Sequence, residues 1–238
     1  MNAIVSGATK GIGRAICEKL IREGMHVAFC ARHKSDVEEA LAAFKKINPA
    51  VKVVGFVYDL SIPQEAKDFG KEALHALGSV QLLVNNAGMF IQGNISTEDE
   101  GALEKMIATN LYSAYHLTRS VLPSMLANEA MQGTRGHIIN ISSVAGLQPY
   151  ALGGSYSISK FALQGFSENL RHELKSYHIK VSTIQPGATM SDSWKGSNIE
   201  ESRIMKAQDI GDTVWYMYQL SPQTVVEDIV LRPQLGDL

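Results

Sequence analysis

Short apolar segments alternate with amphipathic segments along the 238-residue chain. Seven apolar runs predict β-strands at residues 3–5, 26–30, 51–58, 80–85, 137–142, 180–184 and 227–232. Helical periodicity predicts helices at residues 12–23, 98–127, 154–176 and 209–220, with two more between the second and fourth strands. Because strand and helix alternate strictly, we predict a parallel sheet with helices on both faces, an α/β/α arrangement of three layers. No repeat or linker interrupts the pattern, so residues 1–238 are expected to form one domain.

Three helix ends carry residues that favour a particular cap. Gly24 follows the first helix and suits its C-cap. Ser35 and Glu38 have the spacing of a capping box for the second helix, which reaches about residue 47. The third helix is predicted to be capped near Ser61, with Pro63 in its first turn.

Composition narrows the possible partners and compartment. The net charge is −2, from 22 Lys and Arg against 24 Asp and Glu, and no block of like charge favours nucleic acid or an anionic membrane. No apolar run approaches the ~18 residues of a membrane span, and a strand beginning at residue 3 leaves no room for a signal peptide. Cys17 and Cys30 fit buried thiols in a reducing compartment. The histidines lack zinc-ligand spacing. We therefore expect a cytoplasmic protein without a metal site.

A glycine-rich turn lies directly between the first strand and the first helix. It reads Gly7-Ala8-Thr9-Lys10-Gly11-Ile12-Gly13. Glycines there allow a tight turn and let a pyrophosphate approach the backbone at the helix N-terminus. The spacing differs from G-x-G-x-x-G, and no Gly-Lys-Ser/Thr follows to suggest a P-loop. The turn predicts a dinucleotide site; the alternative is an ordinary strand–helix connection.

The end of the second strand indicates which dinucleotide would bind. An NAD site places a carboxylate there for the ribose 2′-hydroxyl, whereas an NADP site needs cations for the 2′-phosphate. This chain has Arg32 at that point and Lys10 in the glycine turn, and a guanidinium suits a phosphate. We predict NADP(H), the alternative being that Arg32 is a solvated surface residue.

Ser143, Tyr156 and Lys160 have the spacing of a proton-transfer site. Tyr156 and Lys160 are four residues apart on a predicted helix and therefore share one face. A cation about 4 Å from the phenol, at an effective dielectric near 20, is worth roughly 4 kcal/mol, or about three pKa units. This predicts a Tyr156 pKa close to neutrality, where the phenol can act as both acid and base.

These motifs resemble, in order and spacing, those of the short-chain dehydrogenase/reductase family over residues 3–191. The match adds Asn85-Asn86-Ala87-Gly88, Asn110 and Pro186-Gly187 to the residues above. The resemblance implies a Rossmann-like, doubly wound parallel sheet of about seven strands. It also implies a catalytic set of Asn110, Ser143, Tyr156 and Lys160.

The resemblance further implies a cofactor-binding set. Asp59 and Leu60 would contact the adenine, and Asn86 and Gly88 would line the adenosine side. Thr189 and Ser191 would meet the carboxamide, Lys160 the nicotinamide ribose, and Asn110 would hold a water that links Lys160 to solvent. The full set is Gly7, Thr9, Lys10, Gly11, Ile12, Gly13, Arg32, Asp59, Leu60, Asn86, Gly88, Tyr156, Lys160, Pro186, Gly187, Thr189 and Ser191.

Simpler alternatives exist for several of these residues. Asn85 and Asn86 could be turn formers after a strand, and Asn110 could be a hydrogen-bonding residue or a kink in the middle of a helix. Asp59 could cap a loop, and Ser142, next to Ser143, would be a packing residue at the strand end. Tyr112, Tyr115 and Tyr150 are interpreted as packing or pocket-wall residues rather than acids.

Departures from the family pattern bear on the substrate. Ser191 stands where threonine is more usual, and the segment 191–207 is short, which favours a small lid and an open pocket. The C-terminus lacks a Gly-rich ending, and Gln185-Pro186-Gly187-Ala188, followed by Trp194, resembles the sepiapterin-reductase-like branch. Arg232-Pro233 near the C-terminus and Trp194 favour a compact planar dicarbonyl substrate.

We therefore predict an NADPH-dependent carbonyl reductase. The rival in the same class is a 3-oxoacyl-[acyl carrier protein] reductase, which the residues Ser176-Tyr177-His178 slightly disfavour because such enzymes often have a basic side chain there. A rival from another class is a non-catalytic dinucleotide-binding regulator. The helices at residues 98–127 and 154–176 could pair across a two-fold axis in a homodimer or homotetramer.

Overall fold

Seven parallel strands form one sheet in the computed structural model, which describes residues 1–130, 133–191 and 200–237. The strands are β1 (Asn2–Ser6), β2 (His26–Ala31), β3 (Val53–Val57), β4 (Leu82–Asn85), β5 (Gly136–Ile141), β6 (Ile179–Pro186) and β7 (Asp228–Leu231). Their order is β3-β2-β1-β4-β5-β6-β7, and all six pairings are parallel. The order reverses between β1 and β4, which opens a crevice at their carboxyl ends.

Helices cover both faces of this sheet. They are α1 (Gly11–Arg22), α2 (Lys34–Ile47), α3 (Pro63–Leu77), α4 (Ala102–Ile107), α5 (Ser113–Ala127), α6 (Gly154–Leu174) and α7 (Ala207–Gln219). Helices α1, α2 and α7 contribute to one apolar core, and α3, α5 and α6 to the other. Neighbouring strand residues alternate between the two cores: Val5 belongs to the first and Ile4 to the second. The predicted α/β/α layers and seven-stranded parallel sheet are confirmed.

The predicted helix at residues 98–127 is wrong as a single α-helix. The amides of Thr97 and Glu98 donate to the carbonyl of Asn94, and Gly101 has a positive φ of 82°, so α4 begins only at Ala102. Between α4 and α5 lies a π-helical turn, Ala108–Tyr112. It carries Asn110, for which the sequence suggested a kink. A π-turn inserts one extra residue into a helix and is frequent at functional sites.

The predicted caps have mixed outcomes. Gly24, at φ 84°, ends α1 as expected, because its amide and that of Met25 bond the carbonyls of Ile21 and Leu20 in a Schellman arrangement. The capping box is wrong: α2 begins at Lys34 with His33 at the N-cap, so Ser35 already lies inside the first turn.

The N-cap of α3 lies one residue after the predicted cap, Ser61. Ile62 occupies the N-cap and Pro63 the first helical position. Ser61 instead donates to Asp59 Oδ1 at 2.7 Å and shapes the loop before the helix.

Two further expectations concern the state of the cysteines and the presence of membrane-spanning helices. Cys17 and Cys30 are buried free thiols, and burial raises the pKa of Cys30 to about 12. Within residues 1–130, 133–191 and 200–237, no helix has both the length and the apolar character needed to cross a bilayer.

His137 makes the stability of this sheet depend on pH. It lies on β5 with 1% of its surface exposed, its Nε2 is 2.7 Å from Ser182 Oγ, and burial lowers its pKa to about 3. In the unfolded chain, histidine protonates near pH 6.5. Between those two pH values the unfolded state binds one more proton, so acid favours unfolding.

We expect this histidine to remove up to ~1.4 kcal/mol of stability for each pH unit below about 6.5. Denaturant titrations of wild type and His137→Gln between pH 7 and 4 measure the difference directly, because the other titrating groups are common to both. The advantage of wild type over the variant should shrink as pH falls. Parallel stability curves would show that His137 is not the group responsible.

Candidate functional site

The glycine turn brings two strands and a helix into close contact. A Cβ on Gly7, whose φ is +64°, would lie 2.9 Å from Ala87 Cα, and one on Gly13 would collide with the carbonyl of Gly7. Side chains at these positions would separate β1, β4 and the N-terminus of α1. The turn therefore exposes backbone amides at the start of a 12-residue helix, which favours an anionic group.

Asn86 holds this turn in place. Its Nδ2 donates to the carbonyls of Ser6, at 3.0 Å, and Gly7, at 2.8 Å, while its backbone amide donates to Ser6 Oγ. Asn85 points into the sheet, where its Nδ2 bonds Thr118 and Asn140. Both asparagines therefore connect separate elements and are more than local turn formers.

A cavity of about 520 Å³ runs along the turn and gathers most of the predicted cofactor residues. Those that line it are Gly7, Thr9, Lys10, Gly11, Ile12, Gly13, Arg32, Asp59, Leu60, Asn86, Gly88 and Ser191. Asp59 also shapes its own loop, since its Oδ1 accepts from the amide and hydroxyl of Ser61. Asp59 therefore caps its loop, as the simpler alternative held, and also lines the cavity in which the adenine contact is predicted.

The two predicted cations lie at the mouth of this cavity. Arg32 is exposed and lines it at the end of β2. Lys10 lines it from the glycine turn, and its Nζ is 2.9 Å from Asp36 Oδ2 at the start of α2. The cavity lining thus carries two cations, with the carboxylate of Asp36 beside Lys10.

A second cavity, of about 490 Å³, adjoins the first and contains the predicted reaction centre. Ser143, Tyr156, Lys160, Pro186, Gly187 and Thr189 line it. Ile12, Asn86, Gly88 and Ser191 line both cavities, so the two lie side by side. The arrangement can accommodate an elongated molecule whose far end lies at the mouth and whose near end lies beside Tyr156.

Three of the four predicted catalytic residues converge in this second cavity. Ser143 follows β5, and its hydroxyl hydrogen-bonds Tyr156 on α6. Ser142 instead donates to the carbonyl of Lys160 at 3.5 Å. Lys160 is 4% exposed, and its Nζ donates to the carbonyl of Ile141 at 3.1 Å. Of the two adjacent serines, Ser143 is therefore the one paired with the tyrosine, and Ser142 the one paired with the backbone of α6.

The predicted Tyr156 pKa near neutrality is wrong for this structure. Burial raises the pKa of Tyr156, and the hydrogen bond from Ser143 offsets this only in part. The Lys160 Nζ is 5.8 Å from the centre of the Tyr156 ring and bonds a carbonyl instead. Burial also lowers the pKa of Lys160 itself to about 8. Desolvation outweighs the attraction between the two groups because both are buried.

Asn110 lies behind the cavity wall and does not line either cavity. Its Oδ1 accepts from the amide of Met89 at 2.7 Å, and its Nδ2 donates to the carbonyl of Met89 and to Ser159 Oγ. A Cβ on Gly88 would lie 3.3 Å from Asn110 Oδ1 and 3.6 Å from Lys160 Nζ. The side chain therefore positions the segment after β4 against α6, close to the lysine.

Phe90 is a pocket residue that sequence reasoning missed. Its ring packs edge-on against Tyr156 and Tyr150, at centroid distances of 5.0 and 6.4 Å. Leu152 also lines the cavity and has an unusual positive φ of 54°. The sequence did offer one signal for this role, because Phe90 follows the predicted cofactor-binding residue Gly88 by two positions.

The base of the lid is tied to the segment after β6. Met190 donates to the carbonyl of Met205, and Met205 donates to that of Ala188. A Cβ on Gly11 would lie 3.2 Å from Ser191 Cβ, so the start of the lid rests on the glycine turn. Trp194 lies outside the described residues. In the described part of the chain, no three His, Cys, Asp or Glu residues are placed to hold a metal ion.

Comparison with known proteins finds relatives that align with nearly the full length of the chain. An uncharacterized oxidoreductase from Staphylococcus epidermidis is 28% identical over 231 residues, covering 97% of this chain and 96% of that protein. Sepiapterin reductase from Chlorobaculum tepidum is 29% identical over 248 residues, covering 99% and 97%. A metagenomic short-chain oxidoreductase, solved in complex with NADP, is 31% identical with a TM-score of 0.83, covering 99% and 98%.

The sequence model of a family described as short chain dehydrogenase matches residues 1–202. That span includes the glycine turn, both cavities and the helix that carries Tyr156 and Lys160. The chain therefore belongs to the short-chain dehydrogenase family, and it is an oxidoreductase of that family.

Proposed function

We propose that this protein is an NADPH-dependent carbonyl reductase in which Tyr156 is the general acid. The observation that carries the proposal is the pairing of Ser143 with Tyr156 in the second cavity, which adjoins the cavity along the glycine turn. A hydroxyl pair there can bind one carbonyl oxygen beside an adjoining dinucleotide site.

The residues of the first cavity fit a dinucleotide with a 2′-phosphate. The Gly7 and Gly13 positions leave no room for side chains where a pyrophosphate would approach α1. Arg32 and Lys10 provide cations at the cavity mouth, and the metagenomic relative binds NADP. Arg32, Lys10 and the glycine turn would hold the phosphates, Asp59 and Leu60 the adenine, and Thr189 and Ser191 the carboxamide. Bound there, the cofactor would supply the hydride.

The chain's own side chains would handle the proton. Tyr156 would donate its phenolic proton to the carbonyl oxygen while Ser143 donates a hydrogen bond to the same atom. The raised pKa keeps the phenol protonated at neutral pH, so it is available as an acid for reduction. Lys160, with a pKa of about 8, would exchange protons with solvent close to neutrality through the proposed water. Asn110 would position Met89 and Ser159 around this pair and hold the proposed water.

The proposed substrate is a compact dicarbonyl or pterin-like ketone. Support comes from the neutral aromatic cavity wall and from similarity to a sepiapterin reductase. The rival substrate is a 3-oxoacyl thioester on a carrier protein. A non-catalytic regulator is the remaining rival, and the Ser143–Tyr156 contact disfavours it.

We also propose a homodimer or homotetramer in the cytoplasm. Helices α4 to α6 and the π-turn expose a set of large apolar side chains, which a second copy would cover. These side chains are Leu103, Tyr112, Tyr115, Ile158 and Phe161. The two free cysteines are compatible with a reducing compartment.

Replacing the phenol tests the proton donor. Tyr156→Phe keeps the ring that packs against Phe90 but removes the acid, so turnover should fall by roughly 10²–10⁴-fold while NADPH affinity is unchanged. Tyr177→Phe, at an exposed tyrosine beyond the far end of α6, is the matched control and should behave as wild type. Turnover of Tyr156→Phe within a few-fold of wild type would rule out this mechanism.

Removing Arg32 tests the cofactor. Arg32→Ala should weaken NADPH binding by roughly 10–150-fold, because a charge-assisted phosphate contact is lost. NADH affinity should hardly change, since NADH has no 2′-phosphate. Lys34→Ala removes a nearby exposed cation that does not line the cavity, and should leave both dissociation constants unchanged. Equal losses for NADPH and NADH in Arg32→Ala would disprove the role of Arg32.

Comparing kcat/KM for two classes of carbonyl compound tests the proposed substrate class. We expect kcat/KM with NADPH to be higher for an aromatic dicarbonyl or a pterin than for an acetoacetyl thioester, because the cavity offers an aromatic wall near Tyr156. A preference of roughly a hundredfold or more for the thioester, about 2.7 kcal/mol in the transition state, would favour the carrier-protein reductase instead.

A further inference from the structure

Three aromatic rings form one wall of the second cavity. Phe90 lies between Tyr150 and Tyr156, with interplanar angles of 79° and 75° to them. Phe90 is 42% exposed although it faces a cavity. An exposed apolar ring keeps apolar surface in contact with water. A ligand that covers the ring removes this surface from water, which favours binding. We refer to Phe90, Tyr150 and Tyr156 as the aromatic wall.

The segment that carries Phe90 is fixed on both sides of the ring. On one side, Asn110 bonds both the amide and the carbonyl of Met89. On the other, Gly93 donates to the carbonyl of Leu152 at 2.8 Å and accepts from the amide of Gly154 at 3.1 Å. The backbone on either side of Phe90 is therefore held in position before any ligand arrives, which lowers the entropic cost of binding against this residue.

A second contact fixes the same segment to the helix that carries the acid. Glu98 accepts a short hydrogen bond from Ser155 Oγ, next to Tyr156 in the chain. A Cβ on Gly93 would lie 2.7 Å from Glu98 Cβ, so the backbone is closely packed here. The segment of residues 89–98 and the start of α6 thus form one supported unit, and the distance from Phe90 to Tyr156 is set by it.

The cavity around the aromatic wall is lined by apolar and uncharged polar residues, apart from one lysine. Met89, Ala151 and Leu152 line it together with the polar Gln92. Leu152 holds a left-handed backbone conformation that is costly for a branched residue, a kind of strain that clusters at binding sites. Of the described lining residues, Lys160 carries the charge, and its Nζ bonds the carbonyl of Ile141. The wall therefore suits a neutral, flat ring.

The contact between Phe90 and Tyr156 determines how close the ring of a bound substrate lies to the proposed proton donor. The two ring centres are 5.0 Å apart, so a group stacked on Phe90 is next to the proposed proton donor. We propose that Phe90 and Tyr150 determine specificity for substrates whose reacting carbonyl is attached directly to a planar ring, such as aryl ketones and 1-aryl-1,2-diones. This inference rests on the proposed carbonyl reduction and narrows its substrate class.

Two diones that differ only in the flatness of their ring test the inference. 1-Phenylpropane-1,2-dione and 1-cyclohexylpropane-1,2-dione have the same carbon skeleton, but one ring is planar and the other is puckered. For each protein, kcat/KM with NADPH is measured for both, and dissociation constants are measured by calorimetry with NADP⁺, which cannot reduce them. Comparing the phenyl-to-cyclohexyl ratio between variants cancels the intrinsic reactivity of each ketone.

Phe90→Leu should lower the phenyl-to-cyclohexyl ratio by about 2–13-fold, the range expected for a lost aromatic contact. Tyr150→Leu should lower it in the same direction, while Phe90→Tyr, which keeps the ring, should retain the wild-type ratio. NADPH affinity should be unchanged in all three. Tyr177→Leu removes an exposed aromatic residue beyond the far end of α6 and should leave the ratio unchanged.

The outcomes separate this inference from the proposed function. An unchanged ratio in Phe90→Leu, or an equal loss in Tyr177→Leu, overturns the inference even if both diones are reduced. Failure of the phenyl dione to bind wild type also overturns it. If the diones bind with the expected ratios but NADPH is not oxidised, the aromatic wall stands and the proposed reduction fails.

Discussion

The two hydrogen bonds from Asn86 to the carbonyls of Ser6 and Gly7 are the contact on which the rest of the site depends. They join the ends of β1 and β4, where the strand order of the sheet reverses. With these ends joined, the glycine turn is held against Ala87, and the N-terminus of α1 faces the crevice. The segment that follows Asn86 then leads to Gly88 and Phe90, so one amide side chain links the phosphate end of the crevice to the substrate end.

Burial, more than pairing, sets the electrostatics of the reaction centre. Tyr156 and Lys160 are held inside the protein by α6, and each shifts towards its neutral form: the pKa of the tyrosine rises and that of the lysine falls to about 8. This environment disfavours a phenolate at Tyr156. It favours a protonated phenol with a nearby amine that titrates close to neutrality.

The sequence predicted those features that depend on local spacing. The alternating pattern gave the seven strands in order, and the four-residue spacing placed Tyr156 and Lys160 on one helix face. The glycine turn and Arg32 could be assigned to one cavity because parallel strands end at the same edge of a sheet.

Features that depend on three-dimensional packing could not be predicted in this way. The direction of the Tyr156 pKa shift depends on burial by residues distant in sequence, and the amphipathic pattern of the 98–127 segment does not distinguish an α-turn from a π-turn. Ser35 has a side chain that suits an N-cap but lies two residues past the actual N-cap, His33, within the first turn of the helix. Phe90 belongs to the wall only because Gly93 and Gly154 bring two loops together.

The π-turn at Ala108–Tyr112 makes the number of residues in this segment part of the site. Each residue of a helix turns the chain by about 100°, so the extra residue rotates the faces of α4 and α5 relative to one another. Met106 of α4 and Leu117 of α5 are both fully buried with that offset in place. Loss of one residue here would align the helices as a continuous α-helix and would carry either Asn110 or the buried face of α5 away from its partners. Length variation that other connecting segments tolerate is therefore excluded at this point of the chain.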